Sequence, residues 1–355
     1  MSPTTSLHRK VAALRPAYQA DLAEGLDRFF LPRRTTCSWC ASPRLSEHIR
    51  TTDLVQHKPG VFVIDRCDDC GHSFQNPQLS PEGLEFYYRD CYDGLGEEAT
   101  SKIFNGNGST TSYRGRAASV ARFAKPQRWL DVGTGHGHFC VEAKKVLPDT
   151  VFDGLDVSDG VEIAQREGRI DTSHRGFFPD LADTMPGQYD AVSMFHYLEH
   201  TIDPRAELAA AHEALAPGGH LVIDVPDPES RMGDVLGRWW ICWFQPQHLN
   251  FITRRNIRRA LEELGFTVVA VERRSPHIPA DLVAALALWI GEKVPRGNAP
   301  WFAKTPSASR LRLRETLFRL AIPAFLVAYG IDRLIAPFAR RTSLSNAYRI
   351  VARRN

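Results

Sequence analysis

The chain has 355 residues, enough for two or three domains, and its 43% hydrophobic and 24% charged residues are ordinary for a globular protein. Its formal net charge of +3 excludes a chain that is acidic or basic throughout. The charge is uneven, because ten arginines accompany only Glu315 and Asp332 between Arg310 and Asn355. We expect this segment to face something anionic, such as a phosphate-bearing substrate or a membrane surface.

The N-terminus lacks the apolar segment of a secretory signal, and no run of about 18 uncharged apolar residues occurs. The most apolar stretch, residues 320–338, is interrupted by Pro323, Asp332 and Arg333. We therefore expect it to form a buried or interfacial helix pair rather than a membrane span. The expected compartment is the cytoplasm, with peripheral contact at the inner face of the membrane as an open alternative.

Four of the seven cysteines form two C-x2-C pairs, which are Cys37 with Cys40 and Cys67 with Cys70. Thiolates at this spacing are typical of a tetrahedral zinc site. Because four thiolates leave no open coordination position, the zinc is expected to be structural. His72 and Cys91 lie nearby in the sequence, and we do not expect either to be a ligand.

Three segments precede the main domain. Residues 1–32 are predicted to be a helical segment, and residues 33–92 are assigned to the zinc-binding unit. Residues 93–118 are rich in Gly, Ser and Thr and are predicted to be a linker that leads into a helix.

From residue 128 onwards, strand-like and helix-like patterns alternate, which favours a parallel sheet with helices on both faces. The first strand ends at Asp131 and is followed by glycines at positions 133, 135 and 137. Glycines at such a turn let a ligand lie against the backbone. Asp156 ends the second strand, where a carboxylate can hold a ribose diol. The G-x-G-x-x-G spacing of a dinucleotide site is absent, so we predict a nucleoside ligand without a diphosphate.

Five motifs together resemble class I S-adenosylmethionine-dependent methyltransferases over roughly residues 110–275: "LDVGTGHGHF", "GLDVS", "YDAVSMFHYLEHTIDP", "LAPGGHLVIDVPD" and "HLNFITRRNIRRALEELGF". The resemblance implies an enzyme with an α/β, Rossmann-like seven-stranded sheet in the order 3-2-1-4-5-7-6. Its core would span residues 119–275, with a helical insertion over 276–345 and the final core strand over 346–355.

The resemblance also implies a set of cofactor-binding residues. Asp131, Gly133 and Gly135 would surround the amino-acid part and the sulfonium of S-adenosylmethionine, and Asp156 would bind the ribose hydroxyls. The remaining positions carried over are Thr134 and Gly137 in the turn, Val157 after the second strand, Gly176 and Phe177 beside the adenine, and Phe195 at the end of strand four.

The two cysteine pairs followed by "GHSFQNPQLSPEGLEFYY" are similar to the N-terminal unit of sugar C-methyltransferases and related glycan or natural-product methyltransferases. In that family the loop before strand six carries a Y-H-E-H-like segment, whose last His matches His248. Gln245 and Pro246 replace its Tyr and first His, which weakens C-methylation. His248 and His200 are the predicted general bases, and a structural role is the alternative for each.

His196, Glu199 and His200 could instead hold a divalent ion, because "LEH" resembles ubiquinone-type O-methyltransferases. His196 stands where that family would have an acid, so a metal is the weaker interpretation. Glu199 could otherwise orient a neighbouring histidine.

The insertion at 276–345 has helical apolar spacing and could cover the active site, form a homodimer interface or lie on a lipid surface. The first functional hypothesis is O-methylation of a small-molecule or lipid-linked phosphorylated acceptor, such as a sugar, a glycan-lipid or a secondary metabolite. C-methylation of a nucleotide deoxysugar and a non-catalytic cofactor-binding scaffold are the alternatives. No nucleic-acid partner is expected, because the N-P-P-Y-type amide-methylating motif is missing.

Overall fold

A computed structural model of the chain describes residues 3–90, 107–273 and 276–355. Cys91 and the predicted linker as far as residue 106 lie outside the described residues. The chain divides into two compact units, each built from three stretches of sequence. The N-terminal unit comprises Met1–Ser101, Arg231–Leu249 and Pro279–Pro337, and the sheet unit comprises Lys102–Ser230, Asn250–Ile278 and Phe338–Asn355.

The helices of the described residues are α1 Pro3–Ala23, α2 Pro81–Tyr88, α3 Asn107–Ala121, α4 His138–Ala143, α5 Gly160–Arg166, α6 Phe178–Leu181, α7 Pro204–Ala214, α8 Arg231–Leu236, α9 Arg254–Glu263, α10 Asp281–Lys293, α11 Ala308–Leu320 and α12 Ile322–Ala339. The strands are β1 Leu45–Thr51, β2 Phe62–Cys67, β3 Ser73–Gln75, β4 Arg128–Val132, β5 Val151–Asp156, β6 Ser173–Arg175, β7 Tyr189–Phe195, β8 Leu215–Pro226, β9 Asn250–Phe251, β10 Phe266–Glu272 and β11 Ala347–Arg354.

Aromatic packing and one antiparallel sheet organise the N-terminal unit. Strands β1, β2 and β3 pair antiparallel in that order, and β2 is almost entirely buried. On α1, the ring of Tyr18 packs edge-on against Phe86 of α2 and against Trp301, each at 5.5 Å between ring centroids. Such edge-to-face contacts add to the gain from burying the rings. They join the N-terminal helix to the rest of this unit.

The helical insertion belongs to the same unit. The indole Nε1 of Trp240 donates to Asp281 at the start of α10 at 2.8 Å, and Arg15 of α1 donates to Asn298 at 2.8 Å. Sequence analysis assigned residues 1–32, 33–92 and 276–345 to separate segments. Residues 279–337 of the third segment cluster with the first two segments in one compact unit, whereas residues 276–278 and 338–345 fall in the sheet unit.

The sheet unit contains seven strands in the order β10-β11-β8-β7-β4-β5-β6. Counted from β4 as strand one, this is the order 3-2-1-4-5-7-6, so the predicted Rossmann-like architecture is confirmed. Strand β4 lies parallel to β5 and β7, whereas β11 is antiparallel to both β8 and β10. The large rings of Trp129, Phe139 and Phe152 fill the core beside this sheet.

Helix α7 ends at Ala214, and β8 begins at Leu215, before the glycines at 218–219. The residue before a proline disfavours helical backbone, and Ala216 precedes Pro217.

The apolar stretch at 320–338 is divided into helices at a different position from the one that the sequence predicts. The break lies at Ala321, because Pro323 is tolerated in the first turn of α12 and Asp332 and Arg333 lie within one continuous helix. Among the described residues, this 18-residue helix is long and apolar enough to cross a membrane by length and composition alone. The expectation that the charged residues and the proline interrupt it is therefore wrong.

Candidate functional site

The glycine turn between β4 and α4 uses left-handed backbone at every second residue. Gly133, Gly135 and Gly137 have φ values of +75°, +52° and +71°, which side chains rarely adopt. A Cβ at Gly133 would lie 2.6 Å from Cδ2 of Tyr197, whereas a Cβ at Gly135 would meet nothing within 4 Å. One glycine therefore accommodates a neighbouring ring, and the other leaves open space above the turn.

Asp156 at the end of β5 points its carboxylate at this turn. Its Oδ2 accepts the backbone N–H of Gly135 at 2.8 Å, and its Oδ1 accepts the backbone N–H and hydroxyl of Ser158 at 2.9 and 2.8 Å. The carboxylate is half-buried, so part of its surface still faces solvent. The structure thus brings the glycine turn and Asp156 together, as a site for a ribose diol requires.

Exposed apolar side chains lie close to Asp156. The backbone N–H of Gly176 donates to the carbonyl of Asp156 at 3.1 Å, which places the turn after β6 beside the end of β5. Val157 and Phe177 follow these two residues, and 53% and 62% of their respective surfaces are exposed. Exposed apolar groups next to a polar anchor suit a flat heterocycle such as adenine.

Asp131 and Thr134 lie deeper. Asp131 is 4% exposed and accepts the hydroxyl of Ser193 at 2.5 Å. Burial raises the pKa of the Asp131 carboxyl to about 6, against the opposing effect of the hydrogen bonds from Ser193 and Thr134. Both residues brace the turn from the interior, and their contact with the cofactor stays a prediction.

Phe195 closes β7 and packs into the protein rather than standing free. Its ring contacts Phe139 at 4.8 Å between centroids, and the guanidinium of Arg116 lies 4.6 Å above it. Arg116 in turn donates to Asp224 at 3.0 Å, and Arg349 donates two hydrogen bonds of 2.6 and 2.7 Å to the same carboxylate. This buried ion cluster fixes the carboxyl ends of β7 and β8.

A histidine–carboxylate pair follows β7 directly. His196 has a φ of +53°, and its backbone N–H donates to the carbonyl of Asp224 at 2.9 Å. Its ring Nδ1 lies 3.1 Å from Oε1 of Glu199, which is buried. An ionised carboxylate only accepts hydrogen bonds, so a neutral imidazole paired with ionised Glu199 would carry its proton on Nδ1 and leave Nε2 unprotonated. Non-glycine residues held at positive φ are often functional.

The two predicted bases occupy different units. His200 lies in the short 3-10 helix Leu198–His200 of the sheet unit, and its backbone N–H donates to the carbonyl of Tyr197 at 2.9 Å. His248 belongs to the N-terminal unit, where its Nδ1 contacts the carbonyl of Cys242 at 2.7 Å. A carbonyl can only accept, so Nδ1 of His248 donates this hydrogen bond. Sequence analysis treated His196 only as a candidate metal ligand and did not predict its pairing as a base.

The four cysteines converge as the sequence predicts. The sulfur atoms of Cys37, Cys40, Cys67 and Cys70 all lie within 4.8 Å of one another. The separations Cys37–Cys70 and Cys40–Cys67 are 3.7 and 3.6 Å. Tetrahedral zinc with bonds of about 2.3 Å needs sulfur separations of about 3.8 Å, so the cluster fits this ion. His72 instead stacks on Phe74 at 5.6 Å, consistent with its expected role as a bystander.

Burial raises the pKa of the Cys37 thiol to about 11 and also raises that of Cys70. Thiols in such surroundings stay protonated unless a cation compensates the charge of the thiolate. The donor set therefore suits a bound metal ion better than a reactive thiol.

A family model described as a methyltransferase domain matches residues 112–271. The chain carries a methyltransferase domain. This match agrees with the sheet order and with the glycine turn beside Asp156, so the resemblance seen in the sequence motifs is confirmed.

Curated relatives match part of this domain. A ubiquinone biosynthesis O-methyltransferase of Pseudomonas syringae pv. tomato is 30% identical over 125 residues, which cover 33% of this chain and 53% of that protein. The enzyme of the same name from Pseudomonas paraeruginosa is 29% identical over the same shares. The chain thus spans about half the length of the curated relatives it matches. A solved S-adenosylmethionine-dependent methyltransferase of Archaeoglobus fulgidus is 19% identical at a TM-score of 0.45, covering 72% of this chain and 99% of that one.

Sequence reasoning missed several residues that shape the methyltransferase domain. Arg116, Asp224 and Arg349 come from α3, β8 and β11, which are far apart in sequence. Tyr197 covers the glycine turn and donates its hydroxyl to Glu207 at 3.0 Å. An arginine inside the apolar strand "AYRIVA" was the one available signal, since such a residue needs a buried partner.

Proposed function

We propose that the chain is an S-adenosylmethionine-dependent O-methyltransferase whose acceptor is a hydroxyl of a sugar, a glycan-lipid or another phosphorylated secondary metabolite. The observation that carries this proposal is the His196–Glu199 pair at the end of β7, in the same sheet as the glycine turn and Asp156. In parallel sheets, ligands bind at the carboxyl ends of the strands, where the strand order reverses. The reversal here lies between β4 and β7.

The residues present fit the proposed cofactor. The half-buried carboxylate of Asp156 suits the ribose diol, the exposed Val157 and Phe177 suit the adenine, and the open space at Gly135 leaves room against the backbone. When bound, S-adenosylmethionine supplies an electrophilic methyl group. The protein must then position the acceptor oxygen and remove one proton.

His196 is our candidate for that proton transfer. A neutral ring with its proton on Nδ1 would leave Nε2 as the base, while the buried Glu199 orients the ring and stabilises the imidazolium that forms. A general base contributes about 10² to 10⁴-fold to the rate. His248 and His200 remain the alternatives from the sequence.

Oxygen is favoured over carbon as the acceptor atom. Gln245 occupies the position of the tyrosine in sugar C-methyltransferases, and its amide is used internally. It donates to the carbonyls of Trp243 and His248 at 3.1 and 2.5 Å and accepts from Gln75 at 3.0 Å. The curated relatives are also named as O-methyltransferases.

The test is a transfer assay with donor labelled in its methyl group. Purified protein is incubated with pools of nucleotide sugars, lipid-linked glycans and phenolic quinone precursors, and the labelled atom is located by NMR. Label on an acceptor oxygen supports the proposal. Label on carbon or nitrogen overturns O-methylation, and failure to bind the donor overturns the methyltransferase assignment itself.

Three matched variants locate the base: His196→Asn, His200→Asn and His248→Asn. We expect His196→Asn to lower kcat by about 10² to 10⁴-fold while donor affinity stays within about twofold. If only His248→Asn has this effect, the base is His248 and our assignment of His196 is wrong.

A further inference from the structure

Helices α11 and α12 present a broad apolar surface to solvent. Nine large apolar residues there are each at least 42% exposed, and they are Leu313, Leu320, Ile322, Leu326, Val327, Tyr329, Ile331, Leu334 and Phe338. Leu334 and Leu320 expose 82% and 73% of their surface. Contiguous exposed apolar patches of this kind mark protein or membrane interaction sites.

The opposite side of α12 is anchored to the N-terminal unit. Asp332 is 2% exposed, and its two oxygens accept the backbone N–H groups of Leu282 and Val283 at 3.0 Å each. It thereby caps the start of α10. Since Asp332 is the single acid in the sequence of α12, the exposed side of this helix has no negative charge.

Cations accompany the apolar surface. Arg310, Arg312 and Arg319 on α11 and Arg333 on α12 are exposed. The one acid in α11, Glu315, bonds to Arg319 at 2.6 Å. The pair of helices is therefore apolar and positively charged together, as in helices that lie in the interface of anionic membranes.

We propose that α11 and α12 bind the surface of an anionic lipid bilayer, with the apolar residues in the acyl boundary and the arginines among the headgroups. A helix that spans the bilayer alone is surrounded by lipid, whereas α12 keeps the side that carries Asp332 against α10 of the N-terminal unit. A second copy is a poorer occupant, because pairing the same patch would bring the arginines of both copies together.

The test is vesicle flotation of the full chain without donor, so its outcome is independent of methyl transfer. Vesicles are neutral phosphatidylcholine or the same lipid with phosphatidylglycerol. We expect binding to the anionic vesicles, weakening as salt is raised. Leu334→Glu should lower the partition coefficient about tenfold or more, because burial of a leucine is lost. The double variant Arg312→Gln/Arg319→Gln should lower it roughly 20-fold.

Val235→Glu is the matched control, because Val235 is 75% exposed on α8 and lies outside the patch. It should bind like the unchanged protein, and circular dichroism should confirm that all variants are folded. Absence of flotation with anionic vesicles overturns the proposal, as does equal loss in Leu334→Glu and Val235→Glu. A dimer that Leu334→Glu converts to monomer, without vesicle binding, would assign the patch to a second copy instead.

Discussion

Substituting Gly133 by alanine tests the packing of the glycine turn. The new Cβ would lie 2.6 Å from Cδ2 of Tyr197, whereas carbon atoms pack best at about 3.5–4.0 Å. The ring must therefore move by about 1 Å, which costs roughly 1–3 kcal/mol in a packed site. Left-handed backbone adds about 1–2 kcal/mol for any side chain. We expect Gly133→Ala to lower the free energy of unfolding by about 2–5 kcal/mol.

Gly135→Ala is the matched control, because its φ of +52° imposes the strain without any neighbour within 4 Å. It should cost about 1–2 kcal/mol. A double-mutant cycle with Tyr197→Ala isolates the clash, and Gly133→Ala should cost only the backbone strain once the ring is gone. Urea unfolding of the unchanged protein and of these four variants, the double variant included, measures these values. Equal costs for Gly133→Ala and Gly135→Ala, or an unchanged cost without the ring, would refute this account of the turn.

Three further changes test the cofactor site, the cysteine cluster and a buried carboxyl group. Asp156→Ala should weaken S-adenosylmethionine binding in calorimetry about 10- to 150-fold, because charge-assisted hydrogen bonds are lost. The control Asp159→Ala should change this affinity by no more than about twofold. Equal effects of the two substitutions would place the ribose elsewhere. The purified chain should release about one zinc per molecule to a chromogenic chelator, Cys40→Ser should release far less, and Cys242→Ser should match the unchanged protein. Burial raises the pKa of Glu207 from 4.5 to about 7, so its contribution to stability is complete below pH 4.5 and is lost as the pH rises through 7. Glu207→Gln should remove about 3 kcal/mol of this pH dependence in urea unfolding, and identical profiles would contradict the shift.

The histidines show where reasoning from sequence stopped. "HYLEH" places two histidines and a glutamate within five positions, but the spacing does not say which of them face each other. The pairing of His196 with Glu199 depends on a backbone at φ +53°, held by the carbonyl of Asp224. That carbonyl belongs to β8, a strand that begins 19 residues later at Leu215 and reaches Asp224 only near its end. No local pattern contains this contact.

The helical insertion is a second example of what the sequence alone did not predict. Its helical spacing could be read from the sequence, but its place in the N-terminal unit could not. The side chain of Asp332 points towards α10, so α12 keeps an uninterrupted apolar side. This orientation depends on the N-terminus of α10, a helix about 50 residues earlier in the chain. A charged residue that looked like a break in the sequence is a cap in the structure.

By itself, the sequence determined the features that depend on near neighbours and on backbone chemistry. The two C-x2-C pairs, the glycines after β4, the carboxylate ending β5 and the alternation that favours a parallel sheet all belong here. Only the tertiary structure decided which distant groups meet: the ion cluster of Asp224, the ring of Tyr197 over Gly133 and the burial of Asp332. The reason is physical, since strand and turn preferences act within a few residues, whereas burial and charge pairing are set by chain segments that come together only on folding.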